Sequence, residues 1–206
     1  MTPELTERVV EIIRPIFLGF LDSYKFQKYP AEPYADFKTS FEGLEPSPEI
    51  IRDAMMWKWG HWGKPNYPQL HKNLISEIGQ SWSQFKSSES ASTPEATFLW
   101  WRRRFNRNTT YISSAYITHL VHHASPLPII DQHNFRGMNH LAKTANRDLS
   151  IQLTPCDERR LSKKKPSNWA DIVALKELME SVLVLMPAIS FGELDRFLMM
   201  YGKDQK

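Results

Sequence analysis

Cysteine is nearly absent: Cys156 is the only one in 206 residues. That excludes a disulfide within the chain and a four-cysteine zinc or iron–sulfur site. It fits a reducing compartment. Long apolar runs are missing too. None approaches the roughly 20 residues that a membrane-spanning helix needs. The opening "MTPELTERVVEIIRPIF" has early acids and no small-residue cleavage site, so no secretory signal is expected. The expected location is the cytoplasm. Neither sign of charge dominates, because 26 Lys and Arg against 23 Asp and Glu leave +3. This mild bias is compatible with nucleic acid without demanding it. There is no internal repeat and no series of strand-like alternations. The length suits one large domain or two small lobes with a real core.

Helix punctuation is plentiful. "TPE" at Thr2–Glu4, "SPE" at Ser47–Glu49 and "TPE" at Thr93–Glu95 repeat one device. A hydroxyl caps, proline fills the first helical position, and glutamate complements the positive helix end. "SFGE" at Ser190–Glu193 has capping-box spacing. Val9, Ile12, Ile13, Ile16, Phe17 and Phe20 make an apolar stripe at helical spacing, with a bend expected at Pro15. Further helices are predicted near 48–60, 67–86, 94–105, 109–124, 131–146, 168–186 and 190–202. Residues 30–46, rich in proline, glycine and aromatics, are read as an extended arm or short strand pair. "SSESAST" (87–93) reads as a polar loop and "LTPCDERRLSKKKPSN" (153–168) as a charged connector. The fold class is all-α.

The most informative stretch is "NTTYISSAYITHLVHHASPLPIIDQHNFRGMNHL". Tyr111, Ile112, Ala115, Ile117, Leu120 and Val121 fill a broad buried helix face. Pro126 and Pro128 end that helix. Ile129 and Ile130 carry the chain inward, and Asp131 is the natural N-cap of the next helix. A carboxylate there is held beside the positive end of a helix dipole. Two readings stand: an ordinary cap, or a catalytic carboxylate held at a helix start.

The pattern apolar–Asp–x–His–x–Phe–Arg, here Asp131, His133, Phe135 and Arg136, resembles the catalytic segment of the helix-hairpin-helix (HhH-GPD) DNA glycosylases. That superfamily includes endonuclease III, the adenine glycosylases and the 8-oxoguanine glycosylases. The match covers about a sixth of the chain, roughly residues 108–142. It implies a two-lobed helical fold, with a central lobe at about 47–150 and a second lobe from 1–46 plus 151–206. It also implies that Asp131 is the catalytic residue of a DNA glycosylase, a hydrolase that excises a base flipped out of DNA. The expected partner is DNA, the expected state a monomer, and no cofactor or metal is expected.

The chain departs from the family pattern in three ways. The family's glycine-containing hairpin before the first of these helices is replaced by "RRRFNRNTT", where Asn106 or Asn108 would take the left-handed turn. The lysine of bifunctional members is missing: Ile112 or Ser113 stands there, and no lysine lies between Lys86 and Lys143. A monofunctional enzyme with water as nucleophile is what remains. The iron–sulfur site of some members is absent. The alternative is a non-catalytic helical module of the same fold that binds DNA or protein. A third reading is a helical enzyme for a small molecule, with tryptophans lining its pocket.

Cleaving an N-glycosidic bond builds positive charge on deoxyribose, which an ionised carboxylate stabilises while it accepts a proton from water. The base must first leave the stack, which calls for aromatic surfaces. "MMWKWGHWGKPNYP" supplies Trp57, Trp59 and Trp62 around Lys58, His61 and Lys64. These residues are either core packing or a base-stacking pocket. "FLWWRRRFNRN" places Arg102, Arg103, Arg104 and Arg107 as phosphate contacts or as a solvated face. Asn108 and Arg136 are further phosphate candidates. Ser113, Gln132 and His133 are candidate substrate contacts. His119 and His123 have chelating spacing, but no acidic residue lies between them, so satisfied or exposed histidines are expected.

Overall fold

Thr2, Ser47 and Thr93 each start a helix as the sequence predicts. Their side chains accept from the backbone N–H of Leu5, Ile50 and Ala96, with proline just inside each start. The computed structural model describes residues 2–106, 110–150 and 155–205. Among these residues the regular structure is helical, with eleven α-helices, a short 3-10 turn at Glu89–Ser92 and no strand. No described helix is long and apolar enough to cross a membrane.

The chain divides into two compact units, one from residues 1–24 and 128–206 and one from residues 25–127. These boundaries differ from the expected 46/47 and 150/151. The first unit comprises α1 (Pro3–Ile13), α2 (Phe17–Asp22), α8 (Gln132–Leu149), α9 (Pro155–Ser162), α10 (Trp169–Leu185) and α11 (Phe191–Asp204). The boundary moves because α8 packs on α11 and α1, and so belongs with the two ends of the chain. Val9, Ile13, Leu141, Ala145, Met179, Val182, Leu194 and Phe197 form its core. At about 25 cal/mol per Å² of apolar surface, such side chains supply most of the drive to fold. Pro15 does more than bend the first helix: α1 stops at Ile13, and α2 begins after a turn. Proline has no N–H and its ring clashes with the carbonyl four residues earlier, so the helix is interrupted.

Two glycines set how closely α8 and α11 meet. A Cβ on Gly202 would lie 1.8 Å from the His133 carbonyl oxygen, and one on Gly137 would lie 2.6 Å from the Leu198 carbonyl oxygen. Any side chain at either place would push α11 away from the first turns of α8.

The second unit holds α3 (Ala31–Glu42), α4 (Pro48–Lys58), α5 (Gln69–Lys86), α6 (Pro94–Phe105) and α7 (Tyr111–Val121). Residues 31–42 are helical, not the extended arm expected. Pro33 falls in the first turn, where its missing N–H costs nothing. Phe37 and Phe41, four apart on one face, are buried. The supposed connector at 153–168 likewise contains α9. In α7 nearly every residue is buried. Two of its hydroxyls are satisfied locally: Ser114 Oγ donates to Thr110 O (3.2 Å) and Thr118 Oγ1 to Ser114 O (2.9 Å). Back-bonding of this kind lets serine and threonine sit in an apolar setting.

Candidate active site

Pro126 and Pro128 leave α7 no way to continue, and Ile130 is buried as the chain reaches Asp131. Asp131 is extended (φ −140°, ψ −177°) and caps α8. Its Oδ1 accepts from the backbone N–H of His133 (2.6 Å) and of Asn134 (3.0 Å). Asn134 Oδ1 accepts in return from the Asp131 N–H (2.8 Å), which closes a capping box. Asn134 is itself fixed. Its buried amide donates to Ile129 O (3.1 Å) and to Asp195 Oδ1 of α11 (2.8 Å). The carboxylate of Asp131 is half-buried, and its Oδ2 takes no part in the cap. One oxygen is therefore held by its own helix, and the other accepts from no donor among the described residues. A carboxylate so placed can accept a proton from water or stand beside a developing positive charge.

The other residues expected around Asp131 have different settings. Gln132 is exposed and His133 half-buried. Arg136 Nη1 donates to Gly202 O and Gln205 O at the end of α11, both at 3.4 Å. Its charge thus complements the negative end of that helix.

The remaining candidates lie in the second unit. Trp57 is core: it is 5% exposed, runs nearly parallel to Tyr34 (4.9 Å, 12°) and Tyr116 (6.0 Å, 10°), and donates from Nε1 to Pro30 O (2.9 Å). Trp59 stacks on His71 (3.9 Å, 21°), and His61 Nε2 sits 3.1 Å from His71 Nδ1. Trp62 is half-buried and meets Phe37 edge-on at 6.0 Å. Ser113 is buried in α7. Lys58 lies 5.8 Å from the Tyr116 ring centroid, and Lys64 is exposed.

At the end of α6, Asn106 takes the left-handed conformation (φ 42°, ψ 39°), the role that the sequence offered to it or to Asn108. Arg102 donates to Thr110 Oγ1 (3.3 Å) and lies over Tyr111. Arg103 and Arg104 are exposed, with no acidic partner among the described residues. Arg107 and Asn108 lie outside the described residues.

Sequence reasoning missed a second polar centre. Tyr34 OH donates to His119 Nε2, and His119 Nδ1–H donates to Leu127 O (2.8 Å). Both ring nitrogens are used, so the chelating spacing to His123 serves no metal. Burial pushes His119 down to about 3, so it stays neutral. Tyr34 escaped notice because its segment read as extended. Asp195 escaped because its partner lies 61 residues away, although "SFGELDRFL" puts it on the buried face of α11.

The chain is therefore an all-helical protein of two units with a half-buried carboxylate at a helix start. It matches no family model, and no curated protein or solved structure is significantly similar to it.

Proposed function

We propose that the chain is a monofunctional DNA glycosylase similar to the helix-hairpin-helix group. It would act in the cytoplasm on a damaged or modified base flipped out of DNA. The substrate class covers a lesion met in base-excision repair and a modified base of viral DNA attacked in phage defence. The observation that carries this reading is Asp131, held among the described residues through Oδ1, with Oδ2 left for chemistry. The bond from C1′ to the base nitrogen breaks, water adds at C1′, and the carboxylate steadies the positive sugar and takes the water's proton. The left-handed Asn106 ends α6 without a glycine, where the family pattern has its glycine-containing hairpin. The exposed Arg103 and Arg104 beside it suit phosphate.

The rival is a non-catalytic module that binds DNA or protein. It is favoured by the completeness of the capping box and by Arg136 being engaged on α11. One experiment separates the two. Duplexes carrying candidate bases are incubated with the protein and then treated with alkali to cut abasic sites. Cuts that depend on Asp131 support the glycosylase. Salt-sensitive binding without base release on any duplex selects the module.

A further inference from the structure

The loop from Trp59 to Pro68 and the exposed flank of α4 border an open cleft of about 540 Å³, a volume in the range of small-molecule sites. Trp62, Tyr67 and Met56 give it aromatic and apolar walls, and Arg52, Asp53 and Lys64 line it with charge. The loop is built rather than slack. His61 N–H donates to Met56 O (2.8 Å) and Lys64 N–H to His61 O (2.9 Å). Gly60 and Gly63 take positive φ (67° and 69°), which other residues rarely adopt. At Gly60 a Cβ would also strike the Lys28 side chain at 2.2 Å. His61 binds His71, and Lys72 covers the Tyr67 ring at 5.4 Å.

The charges in the cleft are not balanced. Arg52 Nε pairs with Asp53 Oδ1 (2.8 Å), which leaves both Nη nitrogens outside that contact. Lys64 makes no ion pair among the described residues. The local field is positive enough that Lys64 and Lys28, after burial, help hold His61 below its usual range. A planar ring with an anionic tail fits such a place. The indole offers a stacking face, Lys64 and the Arg52 Nη groups outside the Asp53 contact offer donors to a phosphate, and Asp53 offers an acceptor to a ring amine.

We propose that this cleft binds a nucleoside 5′-phosphate, with the base against Trp62 and the phosphate on Lys64 and Arg52, either as a free nucleotide or as one unit of a single strand. The site uses no part of the Asp131 chemistry and stands or falls apart from it.

The test titrates the full chain at low salt with the four deoxynucleoside 5′-monophosphates, the matching nucleosides, deoxyribose 5-phosphate and a short labelled single strand. The proteins are wild type, Lys64→Glu, Trp62→Leu and Asp131→Asn. Calorimetry follows the small ligands, anisotropy the strand, and circular dichroism the fold. Saturable binding is expected, weakened about tenfold or more in Lys64→Glu and Trp62→Leu and unchanged in Asp131→Asn. Nucleosides and the sugar phosphate should each bind at least about tenfold worse than the nucleotide or strand, since each lacks half of the contacts. Tight nucleotide binding that displaces the strand identifies the free nucleotide. Strand binding that mononucleotides compete only weakly identifies the single strand. No saturation by any probe overturns the proposal. So does equal affinity in wild type and Lys64→Glu, a variant at an exposed residue that leaves the fold intact.

Discussion

Two helices of the first unit begin with the same pair of residue types in opposite order. In α8 the aspartate caps and the asparagine stands three residues on, as Asp131 and Asn134. In α10 the asparagine caps and the aspartate stands three residues on, as Asn168 and Asp171. Both pairs close a capping box, yet the carboxylates end in different states. Asp171 is 2% exposed and both its oxygens are engaged. Lys163 Nζ reaches Oδ1 (2.6 Å), while Ser167 N–H (2.7 Å), Ser167 Oγ (3.2 Å) and Asn168 N–H (3.2 Å) reach Oδ2. Asp131 is half-buried with one oxygen in use. The difference lies in what surrounds each carboxylate: Lys163, Ser167 and Asn168 converge on Asp171, whereas the described contacts of Asp131 are the two N–H groups of its own first turn. The carboxylate inside the turn is consumed by structure, and the one at the cap keeps an oxygen for other work.

Breaking this contrast at Asp131, the proposed catalytic end, should give the largest effect. Asp131→Asn keeps a side-chain oxygen to cap α8 and removes the charge. Base release is expected to fall by about 100-fold or more, the scale of losing an aimed electrostatic partner at a transition state. Single-turnover release, read as alkali-sensitive strand cuts, measures it. Release at the wild-type rate in the variant would remove Asp131 from the mechanism. Asp171→Asn, by the same assay, should leave release per folded molecule unchanged.

The structural end comes next. Asp171→Ala strips Lys163, Ser167 and Asn168 of their shared acceptor within the protein. A loss of about 3 kcal/mol is expected, as for removing one partner from a buried charged network. Urea unfolding of wild type and variant checks it. A loss under about 1 kcal/mol would mean that water replaces the carboxylate, and the contrast with Asp131 would weaken. Asn134→Ala sits between the two ends. It takes away the donor to Asp195 and Ile129 and the acceptor for the Asp131 N–H, while the backbone N–H of residue 134 still reaches Oδ1. About 2 kcal/mol is expected in the same measurement, with slower release because the carboxylate loses its brace.

Much of this was legible before any coordinates. Hydroxyl–proline–glutamate starts and capping boxes are local chemistry, so Thr2, Ser47 and Thr93 could be read as caps by the first and Ser190 by the second, and Asp131 could be placed by the two prolines behind it. The all-α class follows from the same signals. What failed was whatever depends on a distant partner or on burial of a mixed segment. Pro30 and Pro33 disguised α3, since proline signals a break in a helix interior and is harmless in a first turn. The charges of "DERRLSKKK" hid α9. For Trp57 the sequence left core packing and a base-stacking pocket both open, and Tyr34 and Tyr116, coming to it from two other helices, decide for the core. Trp62 and Lys64 were legible as pocket candidates, but the part that Arg52 and Asp53 play in the cleft was not, for a related reason. The sides of the cleft at Arg52 and Tyr67 are 15 residues apart, and only the turn through Gly60 and Gly63 brings them together.

The smallest expected effect sharpens the comparison most. Asp131→Ala should cost about 1 kcal/mol, the usual value of a cap, because it leaves the N–H groups of His133 and Asn134 to water. Asp131→Asn should cost only a few tenths of that, since asparagine caps about as well as aspartate. Both variants should be equally slow in base release if the charge is what the chemistry needs. Equal loss of release with unequal loss of stability is a result that a purely capping Asp131 cannot produce. A capping residue would act through the fold alone, so its two variants would differ in activity in the same order as in stability.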